Sequence, residues 1–293
     1  MFHNHPLGIL AHNIFIDILI HMYLTIDIGG TKTLLGKMTK DGSIEKSIKF
    51  PTPTEYDEFI KQLEDNIATL TTDKWEIVCV AAPGKIDRST GSVIAFGNLD
   101  WKNVPIAQDL EKIAKTKAII ENDAKLAALS EARALNPPRA KVVYLTVSTG
   151  IGSGTVINNV LDPDLIDAEV GHMLFERDGE LVKWQSFASG KAIVKRFGKL
   201  ASEIDDPKIW QIISRDLAIG IIDIVANIQP DIIIIGGGVG SHFHKYGDIL
   251  NTELKQYESP MVPIPAVVGA KHPEEAVIHG CYQLILDHLQ KSD

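Results

Sequence analysis

The chain has 293 residues, 45% hydrophobic and 23% charged, which is enough for a sizeable core and two lobes. Its 29 basic against 38 acidic residues leave a net charge of −9, arguing against a general nucleic-acid or anionic-membrane surface. Two cysteines, Cys79 and Cys281, are too few for a disulfide framework or a four-cysteine metal site, and a reducing cytoplasm is the expected compartment.

The first 22 residues fit poorly with the rest. Residues 7–20, "LGILAHNIFIDILI", are apolar but short, and they contain His12, Asn13 and Asp17, so they make a weak membrane span. They lack the basic n-region and small-residue cleavage site of a signal peptide. Met22 stands directly before the first strong strand. The expectation is a mis-set start, with residues 1–22 a non-native or disordered extension.

Residues 23–50 read as a hairpin and a third strand: "YLTIDI", the turn Gly29-Gly30-Thr31, "KTLLGKM", then "GSIEKSIKF". Apolar Phe59, Ile60, Leu63 and Ile67 predict a helix over about Tyr56–Leu70. "EIVCVAAPG" reads as a buried strand entering a loop, "IAQDLEKIA" as a helix and "AIIEND" as a strand end. "AKLAALSEARAL" reads as a helix stopped by Asn136-Pro137-Pro138. "KVVYLTVSTGIGSGTVINNVL" then repeats the opening unit of strand, glycine turn and strand. Later, "IIDIVANI" reads as a buried helix, "DIIIIGGGVG" as a strand into a glycine turn, and "EEAVIHGCYQLILDHLQ" as the final helix. Two copies of one unit, each followed by alternating helices and strands, imply an α/β fold with two lobes and a cleft between them. The expected division is 23–120 plus 278–293 for a smaller N-terminal lobe and 121–277 for a larger C-terminal lobe, joined by a tight hinge.

The glycine turns look built for phosphate, and two common devices fail. A P-loop needs G-x-x-x-x-G-K-[ST] before a helix; around Gly36-Lys37 the sequence has Thr31 and Met38 instead, and a strand follows. A dinucleotide fingerprint needs G-x-G-x-x-G in the first βα turn; "TGIGSGT" and "GGGVG" miss that spacing and come late. What remains is one glycine hairpin turn per lobe, offering backbone N–H and hydroxyl donors, and a third turn at Gly236-Gly237-Gly238. Glycine lets a phosphate approach the backbone and permits φ > 0. Each pair could equally do no more than close a hairpin. Asp27, just before the first turn, could hold Mg²⁺ directly or through water against bound phosphates.

In this order the segments resemble the actin-like (ribonuclease H-like) sugar-kinase fold, and within it the ROK family of sugar kinases and repressors. "LTIDIGGTKT" and "TVSTGIGSGT" look like the two phosphate motifs, and "DIIIIGGGVG" like the adenosine-side turn. "AAPGKID" and "FGNLDW" resemble loops that approach the sugar, "ENDAKLAAL" the catalytic segment, and "AEVGHM" the sugar-binding segment. The resemblance implies an ATP- and Mg²⁺-dependent, glucokinase-like enzyme with Asp123 as general base. Gly84, Asn98, Asn122, Glu169, His172 and Gln185 would face the sugar. Gly29, Gly30, Thr31, Lys32, Thr149, Gly150, Gly152, Gly237 and Gly238 would face the nucleotide. A homodimer is implied as well. Asp123 could also serve as the N-cap of the following helix.

Two departures matter. Many relatives carry a cysteine-rich zinc loop after the Gly-His pair; here "MLFERDGELVKWQSFASG" has no cysteine, so no zinc is expected. Gln185 stands where relatives carry a sugar-binding carboxylate, which leaves the sugar open. Polyphosphate as donor, or fructose, mannose or an N-acetyl amino sugar as acceptor, stays as an alternative. A sugar-responsive repressor is disfavoured, because the 22 residues before the first strand hold no Lys or Arg and no winged helix. A non-catalytic sugar-binding module is disfavoured by the intact Asp123.

Overall fold

Strand β1 (Met22–Ile28) is buried at every residue except Asp27, as befits a strand covered on both faces. It is the centre of the first sheet in the computed structural model, which describes residues 22–70, 74–97, 99–272 and 275–291. Residues 1–21 of the expected extension lie outside the described residues. β2 (Lys32–Met38) and β3 (Ile44–Pro51) continue from β1 as antiparallel neighbours. Helix α1 (Tyr56–Leu70) follows and buries Phe59, Leu63 and Ile67 of the expected stripe together with Leu70, while Ile60 is half-buried at its edge. β4 (Trp75–Ala82) then pairs parallel to β1.

Three short strands, β5 (Lys85–Asp87), β6 (Ser92–Ala95) and β7 (Lys102–Val104), form a small separate sheet that the sequence pattern did not anticipate. Helix α2 (Ile106–Ala114) leads to β8 (Ala118–Asn122), and the first sheet runs β3-β2-β1-β4-β8.

Helix α3 (Asp123–Arg133) leads to β9 (Lys141–Val147), β10 (Ile151–Ile157) and β11 (Val160–Leu161). A hairpin of β12 (Leu174–Arg177) and β13 (Glu180–Lys183) follows, then α4 (Gln185–Ala188), α5 (Gly190–Phe197) and α6 (Pro207–Ile228). The chain ends with β14 (Ile232–Gly236), α7 (Gly237–Gly240), α8 (Gly247–Lys255), β15 (Ala266–Gly269) and α9 (Ala276–Gln290). The second sheet runs β11-β10-β9-β14-β15. In both sheets a central strand pairs antiparallel with the next strand and parallel with a later one. The turns at residues 29–31 and 148–150 have the same length. This is the two-lobed α/β plan that the repeat predicts.

Helix α6 starts well before the expected 221–228, because Asp206 caps its N-terminus and Pro207 suits the first turn. Helix α9 packs on β1 and β4, α3 packs on β9 and β10, and the two helices pack on each other. Their crossing is close at Gly280, where a Cβ would come within 2.1 Å of the Leu126 carbonyl oxygen. Leu126, Ile278, Cys281 and Ile285 share a core cluster with Tyr23, Ile77 and Cys79 of the first sheet. That contact joins the two sheets through their helices. Among the described residues no helix is long and apolar enough to cross a membrane.

Candidate active site

The two glycine turns, the end of β8 and the segment before β12 face one another across a cleft of about 970 Å³. Of the residues singled out from sequence, Gly29, Gly30, Gly84, Asn122, Asp123, Thr149, Gly150, Gly152, Glu169, His172 and Gln185 line it. Thr31 and Lys32 are exposed at the start of β2 and do not line it. Gly237 and Gly238 stand behind the wall, nearest Thr146 and Ser148, which do line it. Asn98 lies outside the described residues.

The first turn is braced by Thr52. Its hydroxyl donates to the Gly29 carbonyl at 2.8 Å, and its N–H donates to the Thr31 carbonyl at 3.1 Å. The N–H groups of Gly30 and Thr31 have no acceptor among the described residues. In the second turn the Ser148 N–H donates to the Gly150 carbonyl at 2.9 Å, and Thr149 N–H likewise has no described acceptor. Backbone donors held open in this way suit an anionic ligand.

Asp123 opens α3, but it is not the cap. The N-cap is Asn122, whose Oδ1 accepts from Ala124 N at 3.0 Å and Lys125 N at 3.4 Å. This corrects the alternative that gave Asp123 the capping role. Asn122 also donates from Nδ2 to the Gly84 carbonyl at 3.2 Å, which leaves it one amide N–H for a ligand. Gly84 has φ +122°, and a Cβ there would lie 2.1 Å from the Ala95 carbonyl oxygen, so this position requires glycine. Asp123 Oδ1 accepts from Ala124 N at 2.9 Å. Burial raises the Asp123 carboxyl above its ordinary range, partly offset by that N–H and by the charge of Lys125.

The backbone of Asp27 lies in the β1 ladder, but its carboxylate has no hydrogen bond or ion pair to any described residue. Burial, and then the charge of Asp123, push its carboxyl up to about 7, with Lys49 opposing. Asp27 itself does not line the cleft, but it stands two residues before Gly29 and its carboxyl feels the charge of Asp123, so the two oxygen donors have the hard-ligand chemistry that Mg²⁺ would take if bound. A proton held more tightly in the folded than in the unfolded chain makes stability fall as pH rises from about 4 to about 7, with no further change above. Melting temperatures measured without divalent cations should therefore fall from about pH 5 to about pH 7.5 more steeply in the wild type than in Asp27→Asn. Equal slopes would remove Asp27 as the titrating group.

His172 and Gln185 stand at the two feet of the β12–β13 hairpin, with Gln185 Nε2 and His172 Nε2 3.1 Å apart. Gln185 Oε1 also accepts from Ile151 N at 3.4 Å. The hairpin is fastened to α6. Trp184, fully buried, donates from Nε1 to the Asp216 carbonyl at 3.0 Å. The Asp216 carboxylate takes Arg177 at 3.2 Å and Arg196 at 2.9 Å, and the Arg177 guanidinium lies 4.3 Å from the Phe187 ring centroid.

Sequence reasoning missed several cleft residues. Thr146 occupies in β9 the place that Asp27 occupies in β1, so aligning the two repeats would have found it. Lys191 and Lys195 are one helical turn apart on α5, and with Lys183 they line the same cleft. Lys125, a cation amid the apolar "AKLAAL" face of α3, is another lining residue that sequence reasoning passed over.

The sequence profile of the ROK family matches residues 23–288. A glucokinase from Thermotoga maritima is 29% identical over 313 aligned positions, covering 90% of this chain and 97% of its own length. An N-acetylmannosamine kinase from Vibrio cholerae is 28% identical over 271 positions, covering 82% and 93%. Among solved structures, a ROK family glucokinase from Streptomyces griseus in complex with glucose and AMPPNP matches with a TM-score of 0.77 at 23% identity, covering 90% of this chain and 98% of that one. The last likeness shows a shared two-lobed actin-like fold.

Proposed function

The chain belongs to the ROK family, and we propose that it is a sugar kinase transferring the terminal phosphoryl group of ATP to a hexose, glucose first among the candidates. The observation that carries this reading is Asp123, a part-buried carboxylate with raised proton affinity at the mouth of α3, facing the open donors of two glycine turns. Relatives named glucokinase and N-acetylmannosamine kinase support the reaction class and leave the sugar to experiment.

In this reading Asp123 Oδ2 takes the proton of the sugar hydroxyl as the hydroxyl oxygen bonds to phosphorus and the bond to the leaving diphosphate breaks. Raised proton affinity brings a carboxylate nearer the working range of a general base. The free N–H groups of Gly30 and Thr149 hold phosphate oxygens from the cleft wall, and Thr31 and Lys32 add a donor and a charge from the rim. The turn at Gly237 and Gly238 backs the nucleotide side. Glu169, His172, Gln185, the remaining Asn122 N–H and the Gly84 backbone bind sugar hydroxyls, with Asn98 assigned there on the resemblance alone. Mg²⁺ held at Asp27 would supply charge neutralisation at the transferring phosphate. The lobes, 23–120 plus 278–293 and 121–277, are proposed to close on the substrates as units, in a cytoplasmic homodimer without zinc. Light scattering and elemental analysis read the last two points.

The deciding experiment is a coupled kinase screen of hexoses and amino sugars with ATP and with polyphosphate. No phosphorylation of any sugar by either donor would sink the reading. Polyphosphate deserves its arm because Lys183, Lys191 and Lys195 line the cleft without an ion pair to any described residue. Three such cations favour a polyanionic chain.

Gln185→Glu is expected to lower KM for glucose several-fold and to leave kcat within about a factor of three. The carboxylate keeps the acceptor for Ile151 N and offers sugar hydroxyls a charged acceptor. Charged hydrogen bonds exceed neutral ones by roughly 1 kcal/mol, about fivefold in affinity. An unchanged KM would place Gln185 outside the sugar site, and a collapse in kcat would make it a support of the catalytic geometry.

A further inference from the structure

Lys125 is a lysine buried to 3% exposure in the first turns of α3, two residues beyond Asp123. It makes no salt bridge within 4.0 Å among the described residues. Its ammonium instead donates to two backbone carbonyls from different parts of the chain, Ser153 of β10 at 2.5 Å and Ala168 at 2.9 Å. Ala168 directly precedes Glu169, and Ser153 closely follows the second glycine turn. The charges of Glu169, Glu121 and Asp123 all act on this ammonium, Glu169 most strongly, against the cost of burial. Burying a lysine is expensive unless it is paired, so a burial satisfied only by carbonyls needs a reason. The segment is held on either side of Ala168, by Lys85 and Arg88 on Asp167 and by Val170 in the core. Its own backbone bonds are local, Ala168 N–H to Leu165 O and His172 N–H to Glu169 O, so Lys125 is the side chain that ties the Ala168 carbonyl to α3 and β10.

We propose that Lys125 is a positioning residue for the sugar: its ammonium pins the 168–169 backbone to α3 and β10, so that the Glu169 carboxylate and the Asp123 carboxylate keep a fixed separation. The proposal rests on the sugar-kinase reading for its catalytic consequence, and it goes beyond that reading because Lys125 itself need not touch either substrate. Lysine fits the task because a four-carbon stem reaches from the helix to both carbonyls, and a charged donor makes shorter, stronger bonds than an amide.

The test uses Lys125→Met, which keeps the stem and removes the donor, and Lys125→Gln, which restores an amide donor. For Lys125→Met, KM for the sugar should rise about tenfold or more, while KM for ATP and kcat stay within about threefold; Lys125→Gln should recover part of the sugar KM. A sugar KM within about twofold of wild type in a cooperatively folded Lys125→Met, or equal rises in both KM values, would overturn the proposal. Hydrogen exchange supplies a readout that needs no activity. Amides of residues 168–173 should exchange about tenfold faster in Lys125→Met and by a smaller factor in Lys125→Gln, while those of the α3 interior change less. Unchanged exchange across 168–173 would overturn the proposal even if the wild type phosphorylated no sugar, whereas inactivity of the wild type alone would count against the kinase reading only.

Discussion

Asp123→Asn is expected to lower kcat by about 10²–10⁴-fold, the ordinary worth of a positioned general base, and to leave sugar affinity within about threefold. Asn is isosteric, and its Oδ1 can still accept the Ala124 N–H that Asp123 takes at 2.9 Å. Only the proton-accepting oxygen is lost. The cap on α3 sharpens the test. Because Asn122, not Asp123, satisfies the first N–H groups of the helix, the substitution should barely move the melting temperature. It also relieves the mutual repulsion of two carboxylates, since the charge of Asp123 helps to raise Asp27. The expected pattern is therefore a folded, sugar-binding, inactive protein, read by a coupled assay, calorimetry and thermal melting together. Retention of more than about a tenth of wild-type kcat would show that another group takes the proton.

Arg88→Met should cost about 3–5 kcal/mol of stability, the largest structural effect expected of a single surface-reaching side chain here. Arg88 meets Glu121 with both arms, Nε to Oε2 at 2.7 Å and Nη2 to Oε1 at 2.6 Å. The Glu121 side chain is only 5% exposed, so removing the guanidinium leaves a buried carboxylate with the Asn122 N–H as its remaining donor. The third contact of Arg88, to Asp167 at 2.9 Å, crosses to the segment before Glu169, but Asp167 is 55% exposed and that contact adds little. Adding Glu121→Gln to Arg88→Met should recover at least half of the loss, since a neutral amide costs less to leave unpaired and can still accept from Asn122 N. Denaturant midpoints for the three variants decide it. A loss below about 1 kcal/mol in Arg88→Met would mean that water reaches Glu121 freely.

Much of this molecule was legible in its sequence because the governing interactions are local. The stripe Phe59, Leu63, Ile67 and Leu70 is buried because a helix of period 3.6 sets them on one face. The apolar run of β1 can only be a strand covered on both sides, and the glycines after it close a hairpin whichever lobe surrounds them. Repeating that unit dictated two sheets of one plan, and the strand-to-helix junction at Asn122 and Asp123 pointed at the cleft through chain order alone. Tertiary structure decided what depends on partners distant in the chain. Which of Asn122 and Asp123 caps α3 turns on a tether to Gly84, 38 residues away. Lys125 carries no signal in the sequence, because its burial comes only when β10 and the 168 carbonyl close over it. The β12–β13 hairpin has weak strand signals, and its form comes from Trp184 and Arg177 docking on Asp216 of α6. Local chemistry sets the elements at a cost paid within a few residues, whereas burial of a charge is decided only when long-range packing removes its water.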